Sequence, residues 1–290
     1  MKQWFLDGIG SSPQGFIWTA IISVVVSGVV SYFFRRLEIR RSAQIDYEYG
    51  QKKKLSELVG SHYGLLIGSS ARFNNRMWNL YDHHEKEWTD VSASYEDSGY
   101  YFKSFVFRFM ELISILREIE KAAIHLDTRI ARREDFLLLN YVAALSWIMT
   151  DVDLFKATLD ESREDLDHFY SDNLRKYCDV ICSDGGMPAF EGFDRFVTDS
   201  SEILKVLEYF KNLKKDEPRE RWDRLVCLHL LLMSFLDSFG TTRHKSSKAE
   251  FRKVAAQFTS TKARMSFAKR ISSYDLDKDK GLKKLRLAIA

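Results

Sequence analysis

The sequence predicts an all-α protein in which one apolar helix near the start leads into a helical bundle. Three observations carry that expectation. There are only three prolines, Pro13, Pro188 and Pro218, so long windows run without the residue that breaks helices. Apolar residues recur three and four apart through most of the chain, the spacing that lines one face of a helix. A charge-free run at 15–34 stands apart from a chain in which charged residues make up 29%.

That run reads GFIWTAIISVVVSGVVSYFF. At the helical rise its twenty residues span roughly 30 Å, the hydrocarbon thickness of a bilayer. Trp18 lies near one end and Tyr32, Phe33 and Phe34 at the other, where an interfacial aromatic belt belongs. A cleaved signal peptide fits poorly, because the run is long and Arg35-Arg36 follow where small residues would mark cleavage. A retained transmembrane helix is therefore expected. Beyond it stand Arg35, Arg36, Arg40, Arg41, Lys52, Lys53 and Lys54, whereas only Lys2, opposed by Asp7, precedes it. Positive charge stays inside. The expected topology is a short external N-terminus at 1–14, a transmembrane helix at 15–34 and a basic juxtamembrane stalk at 35–54. The main domain is then cytoplasmic, on a single-pass protein of the inner (cell) membrane. Three cysteines, too few and too odd in number for a disulfide framework, agree with a reducing compartment.

Within the run, Thr19, Ser23, Ser27 and Ser31 recur every four residues, with Gly28 beside them. Small residues at that spacing let a second helix approach closely, and the ridge predicts a homo-oligomer packed through the anchor. A hydroxyl-lined pore ranks below this, since thin helices must gather in many copies to enclose water.

After the stalk, apolar rhythm marks helical stretches at 55–88 and 101–126, parted by a Ser- and Asp-rich loop at 90–99. The stretches 136–149 and 225–239 are apolar nearly all round yet too short to cross a bilayer comfortably, so they are expected at the buried centre of a bundle. Amphipathic patterns run over 153–177 and 202–213. The stretch 183–192 (SDGGMPAFEG) is the best internal boundary of a bundle domain set at 55–242, and 214–218 is a second break, after which Pro218 opens a helix. Ser247 with Glu250 forms a capping box ahead of Phe251, Val254, Ala255 and Phe258.

Charge divides unevenly. The stretch 243–270 carries Arg243, Lys245, Lys248, Arg252, Lys253, Lys262, Arg264, Lys269 and Arg270 against Glu250 alone. A faintly acidic body thus ends in a basic helical tail at 243–290. A solvated face is the default reading of that tail. Contact with an anionic lipid leaflet is the functional reading a tethered domain favours, and nucleic acid is the least favoured.

The run 63–80, with Leu65-Leu66, Arg76 and Asn79-Leu80, is followed by Tyr100-Tyr101 and by a helix carrying Phe109, Leu116-Arg117-Glu118 and Leu126-Asp127. Over about 50–130 these spaced residues resemble an uncharacterised bacterial family of membrane-anchored, mostly helical proteins. The resemblance implies an inner-membrane setting and transfers no catalytic residues.

Chemistry is sparse. Asp184-Gly185-Gly186 lacks the lysine and helix start of a phosphate-cradling loop, and Cys178 and Cys182, expected half-buried, have no partner pair at zinc spacing. No cofactor or metal is implied. Adjacent His83 and His84 point about 100° apart on a helix and cannot share one metal from that element, so the Asp82–Glu85 cluster reads as a surface helix end. Arginine followed by histidine at short spacing is the pattern of HEPN-type ribonucleases, and Arg76…His83, Arg163…His168 and Arg224…His229 all match it. Twenty-two arginines and seven histidines supply about one or two such pairs by chance. Acids crowd Arg163…His168, and His229 reads as a core histidine, so Arg76 with His83 is the best-placed catalytic pair. The expected function is a non-enzymatic, oligomeric interaction or effector protein with an unidentified protein partner, in the setting of bacterial stress or phage defence. The alternative is a membrane-tethered ribonuclease.

Overall fold

A stretch free of internal proline forms the first helix, α1 (Pro13–Asp82). The computed structural model describes residues 13–91, 95–124, 127, 130, 132–155, 167–183, 185–199, 201–215, 217, 219–276 and 279–290, with side chains from 16 onward. After α1 come α2 (Tyr100–Ala123), α3 (Arg133–Trp147), α4 (Ser171–Ile181), α5 (Phe190–Asp199) and α6 (Leu204–Phe210). Then follow α7 (Glu220–Phe239), α8 (Lys248–Ala255), α9 (Thr261–Arg270) and α10 (Leu282–Ile289). Among the described residues there is no strand, and the all-α class stands.

The chain divides into two units, Met1–Lys54 and Leu55–Ala290. In the first, α1 exposes Phe16, Trp18, Val24, Phe33 and Phe34 at 57–72% of their surface. The helix from Phe16 is long and apolar enough to cross a membrane, and none of its most apolar window is buried.

In the second unit, α7 sits at the centre. Every residue from Arg221 to Leu236 is buried, so no face of that stretch meets water. It packs against α3, α8 and α10, while α2, buried on most of its surface, packs against α3, α4, α5 and α6. The last turns of α1 close the core, with Phe73 edge-on to Phe105 at 5.4 Å and against Phe109 at 5.9 Å. Aromatic rings thus supply much of the packing.

Helix ends follow local chemistry. α1 stops at Asp82, short of the expected 88, because His83 leaves the helical region and Glu87 turns left-handed at φ 50°. At α8 the capping box is present: Ser247 Oγ accepts from the Glu250 amide, and Glu250 accepts in return from that of Ser247. Ser260 caps α9 through the Ala263 amide at 3.1 Å. Gly185 and Gly186, at φ 100° and 145°, supply the break between α4 and α5, and α5 begins at Phe190, inside the expected loop.

Of the two amphipathic stretches, one is interrupted and the other is shorter than its pattern. In 153–177 the described residues include a 3-10 turn at Val152–Leu154 and a helical Asp167, and the chain leaves the helix at 168–170 before α4 begins at Ser171, while 156–166 lie outside the described residues. The Phe169 amide bonds to the Met149 carbonyl at 3.0 Å, which turns the chain back on itself, and Phe169 fills the core between Phe109 and Tyr209. In 202–213 helix covers only Leu204–Phe210, because Asn212 is left-handed and its side chain accepts from the Val91 amide at 2.9 Å. Pro218, Asp184, Leu126 and Arg163 lie outside the described residues.

The stretch 243–290, expected as a tail, packs as part of the Leu55–Ala290 unit. Phe251, Val254, Phe267, Ile271, Leu282, Leu285 and Ile289 are buried, and α8 and α10 both lie on α7.

Candidate functional site

Three places carry the residues singled out by sequence. The first is the apolar helix. Ser23, Ser27, Gly28 and Ser31 lie on its exposed surface together with Thr19, and a Cβ added at Gly28 would meet nothing within 4 Å. Arg35, Arg36, Arg40 and Arg41 follow on the same helix, all exposed.

The second is the end of α1. The Arg76 guanidinium lies 5.4 Å from the Tyr100 ring and 5.3 Å from the Tyr101 ring. The His83 ring lies 5.1 Å from Trp88, and Trp88 lies 4.7 Å from Tyr101. Arg76 and His83 are thus joined through Tyr101 and Trp88 rather than by contact of their own. His83 and His84 border a cleft of about 270 Å³ beside the turn after α6, where Lys214 reaches Glu87 at 3.3 Å and Asp90 at 3.4 Å. Glu85, Glu87 and Asp90 line it with Lys214 and Lys215, so a polyanion entering this cleft would meet three carboxylates against two ammonium groups, one of them already paired. Asp82 pairs with Lys253 at 2.6 Å, as the surface end of a helix would.

The third is the basic C-terminal stretch. Arg270 grips Asp151 through Nε at 2.5 Å and Nη2 at 3.0 Å, and Lys253 is taken by Asp82. Arg243, Lys245, Lys248, Arg252, Lys262, Arg264 and Lys269 make no ion pair among the described residues, and all but the half-buried Arg264 are exposed. The thiols are quieter. Cys178 is buried at 2% exposure, deeper than expected, and burial pushes it up to about 12, so it is a poor nucleophile.

Sequence reasoning missed a buried polar network at the start of α7, where the helix begins five residues before its apolar stretch. Arg221 donates twice to Glu217, at 2.5 and 2.7 Å, and to the carbonyls of Tyr209, Lys211 and Asn212 at 2.6, 3.0 and 3.1 Å. Asp223 accepts from the Thr259 amide at 2.8 Å and its hydroxyl at 2.6 Å. Arg224 donates to the carbonyls of Ile148 and Asp151 at 3.0 and 2.9 Å and lies over Phe155. About one helical turn therefore ties α7 to the ends of α3 and α6 and to the α8–α9 link. The arginines stand three apart beside a helix that is apolar all round, the one signal that their face is buried too.

His229 is the core histidine its helix predicts. It is fully buried, its Nε2 lies 2.9 Å from Asn74 Oδ1, and its ring packs against Trp78 and Tyr81 at 5.3 and 5.4 Å. Burial holds it neutral, with its pKa down at about 3 from 6.5. Below about pH 6.5 an unfolded chain takes up a proton that the folded chain refuses until about pH 3. Stability is therefore expected to fall as pH drops through this window, by up to about 1.4 kcal/mol per pH unit from this one group. Urea unfolding of the protein and of His229→Gln at several pH values checks it: the variant should lose that part of the slope, and an unchanged slope would assign it to other groups.

No family model, characterised protein or solved structure matches the chain, so neither the fold nor the resemblance over 50–130 draws support from a relative.

Proposed function

We propose that this chain is a single-pass membrane protein, anchored by the start of α1, whose helical bundle works in the cytoplasm as a non-enzymatic interaction or effector module. The observation that carries the reading is the bare apolar surface of 16–34, buried nowhere within the chain. A core helix of a soluble protein would be covered by its own fold, whereas a bilayer covers such a surface from outside. Arg35, Arg36, Arg40 and Arg41 immediately after it supply the charge that keeps the bundle side inward. The Thr19, Ser23, Ser27, Gly28 and Ser31 ridge supports self-association within the membrane. Bacterial stress or phage defence is the setting to which this architecture compares by analogy.

A reporter fused after Ala290 tests the topology. An enzyme active only in the cytoplasm should be active, and one active only in the periplasm silent. Changing the four arginines to glutamate should mix the two signals. A periplasm-active fusion of the unaltered chain would overturn the orientation.

A further inference from the structure

The helices α9 and α10 contain no acid: their seven charged residues are Lys262, Arg264, Lys269, Arg270, Lys283, Lys284 and Arg286. Three of the seven serve the fold. Arg270 is bound to Asp151, Lys284 to Asp237 and the Ser246 carbonyl, and Arg286 has a partner of its own. Lys262, Lys269 and Lys283 are exposed and make no ion pair among the described residues.

Position matters as much as charge. Lys262, Met265 and Lys269 stand at i, i+3 and i+7, one face of α9, and Met265 is 64% exposed. Lys283 and Leu287 repeat the pattern at i and i+4 on α10, which contacts α9, and Leu287 is 54% exposed. Both helices bury their opposite faces through Ala263, Phe267, Leu282, Leu285 and Ile289. Each therefore shows water a bare aliphatic side chain flanked by lysine, on a scaffold already packed on its inner side.

We propose that this α9–α10 face is a second membrane contact, reversible and selective for anionic lipid, in which Met265 and Leu287 enter the headgroup region while Lys262, Lys269 and Lys283 meet lipid phosphate and carboxylate. It rests on the membrane-anchored reading above only for proximity to the bilayer. Charge complementarity selects the occupant: an anionic leaflet attracts lysines near its surface, and apolar side chains between them gain by leaving water. Nucleic acid is the poorer match, because single strands stack on exposed aromatic rings and this face offers none, Phe267 and Tyr274 being buried.

The test uses the full chain with Met265→Cys carrying an environment-sensitive dye, in a Cys182→Ser background that leaves only the buried Cys178 and Cys227 as other thiols. Vesicles are phosphatidylcholine alone, or phosphatidylcholine mixed three-to-one with phosphatidylserine, with bromine-labelled acyl chains as quencher. Quenching should be strong with phosphatidylserine and weak without it. It should fall away at high salt, and in Lys262→Gln/Lys269→Gln/Lys283→Gln, whose bound-to-free ratio should drop about a hundredfold. Equal quenching in both lipids, or none in either, overturns the proposal. So does a dye signal that responds to single-stranded RNA in neutral vesicles and not to phosphatidylserine. Flotation separates the two readings. A chain that floats with neutral vesicles but is never quenched keeps its anchor and loses this face. One that floats only with phosphatidylserine keeps the face and loses the anchor.

Discussion

Arg221→Ala should lower the unfolding free energy by about 3–5 kcal/mol, the usual result of removing one partner of a buried charge pair. The guanidinium is 2% exposed and Glu217 only 11%, so neither is free to recover its bonds from water. Truncation would leave a buried carboxylate and three carbonyls, of Tyr209, Lys211 and Asn212, without their donor. Arg221→Lys should recover little, because a single ammonium cannot reproduce a planar fork that serves a carboxylate on one edge and carbonyls on the other. Urea unfolding followed by circular dichroism reads both variants. Recovery to within about 1 kcal/mol in the lysine variant would mean that charge matters here and the fork does not.

Gly281→Ala is the second large effect, expected at about 3 kcal/mol. Gly281 opens α10 at φ −62°, so alanine meets no backbone objection. What it meets is α7: a Cβ there would overlap Ser238 Oγ and stand 2.7 Å from the Ser234 carbonyl and 2.9 Å from Asp279 Oδ2. Asp279 is already committed, accepting from Tyr141 at 2.5 Å, Ser238 at 2.7 Å and the Leu282 amide at 3.1 Å. The added methyl must therefore push α10 off α7 or break that cluster. Ser238→Ala in the same chain removes the nearest atom and should restore part of the loss, a coupling that a thermal-melt double-mutant cycle would detect. Strict additivity would place the damage elsewhere than at this contact.

These two sites show where reading residues in order runs out. The charge-free run at 15–34, the periodic helices and the Ser247–Glu250 cap were all legible, because each depends on residues within a few positions of one another. The core position of His229 was legible too, since a helix apolar on every side has no wet face to offer an imidazole. Arg76 and His83 could be named as a pair, but that they meet through Tyr101 and Trp88 depends on the loop that brings Trp88 back to α2.

Local order alone thus settles the class of fold, the exposed apolar helix and most helix positions, since hydrophobic periodicity and capping are short-range. It could not settle that Arg221, Asp223 and Arg224 are interior, because a charged residue is buried only when distant segments bring it partners, here the turn after α6, the end of α3 and Thr259. Nor could it tell that the basic stretch from 243 belongs to the same packed unit as the rest of the bundle. Its lysines advertise solvent in any window, whereas Phe251, Phe267 and Leu285 find their burial only against α7 and the helices around it. Which cations are spent on the fold, as Arg270 is on Asp151, and which are left facing outward was decided by contacts over a hundred residues apart in sequence.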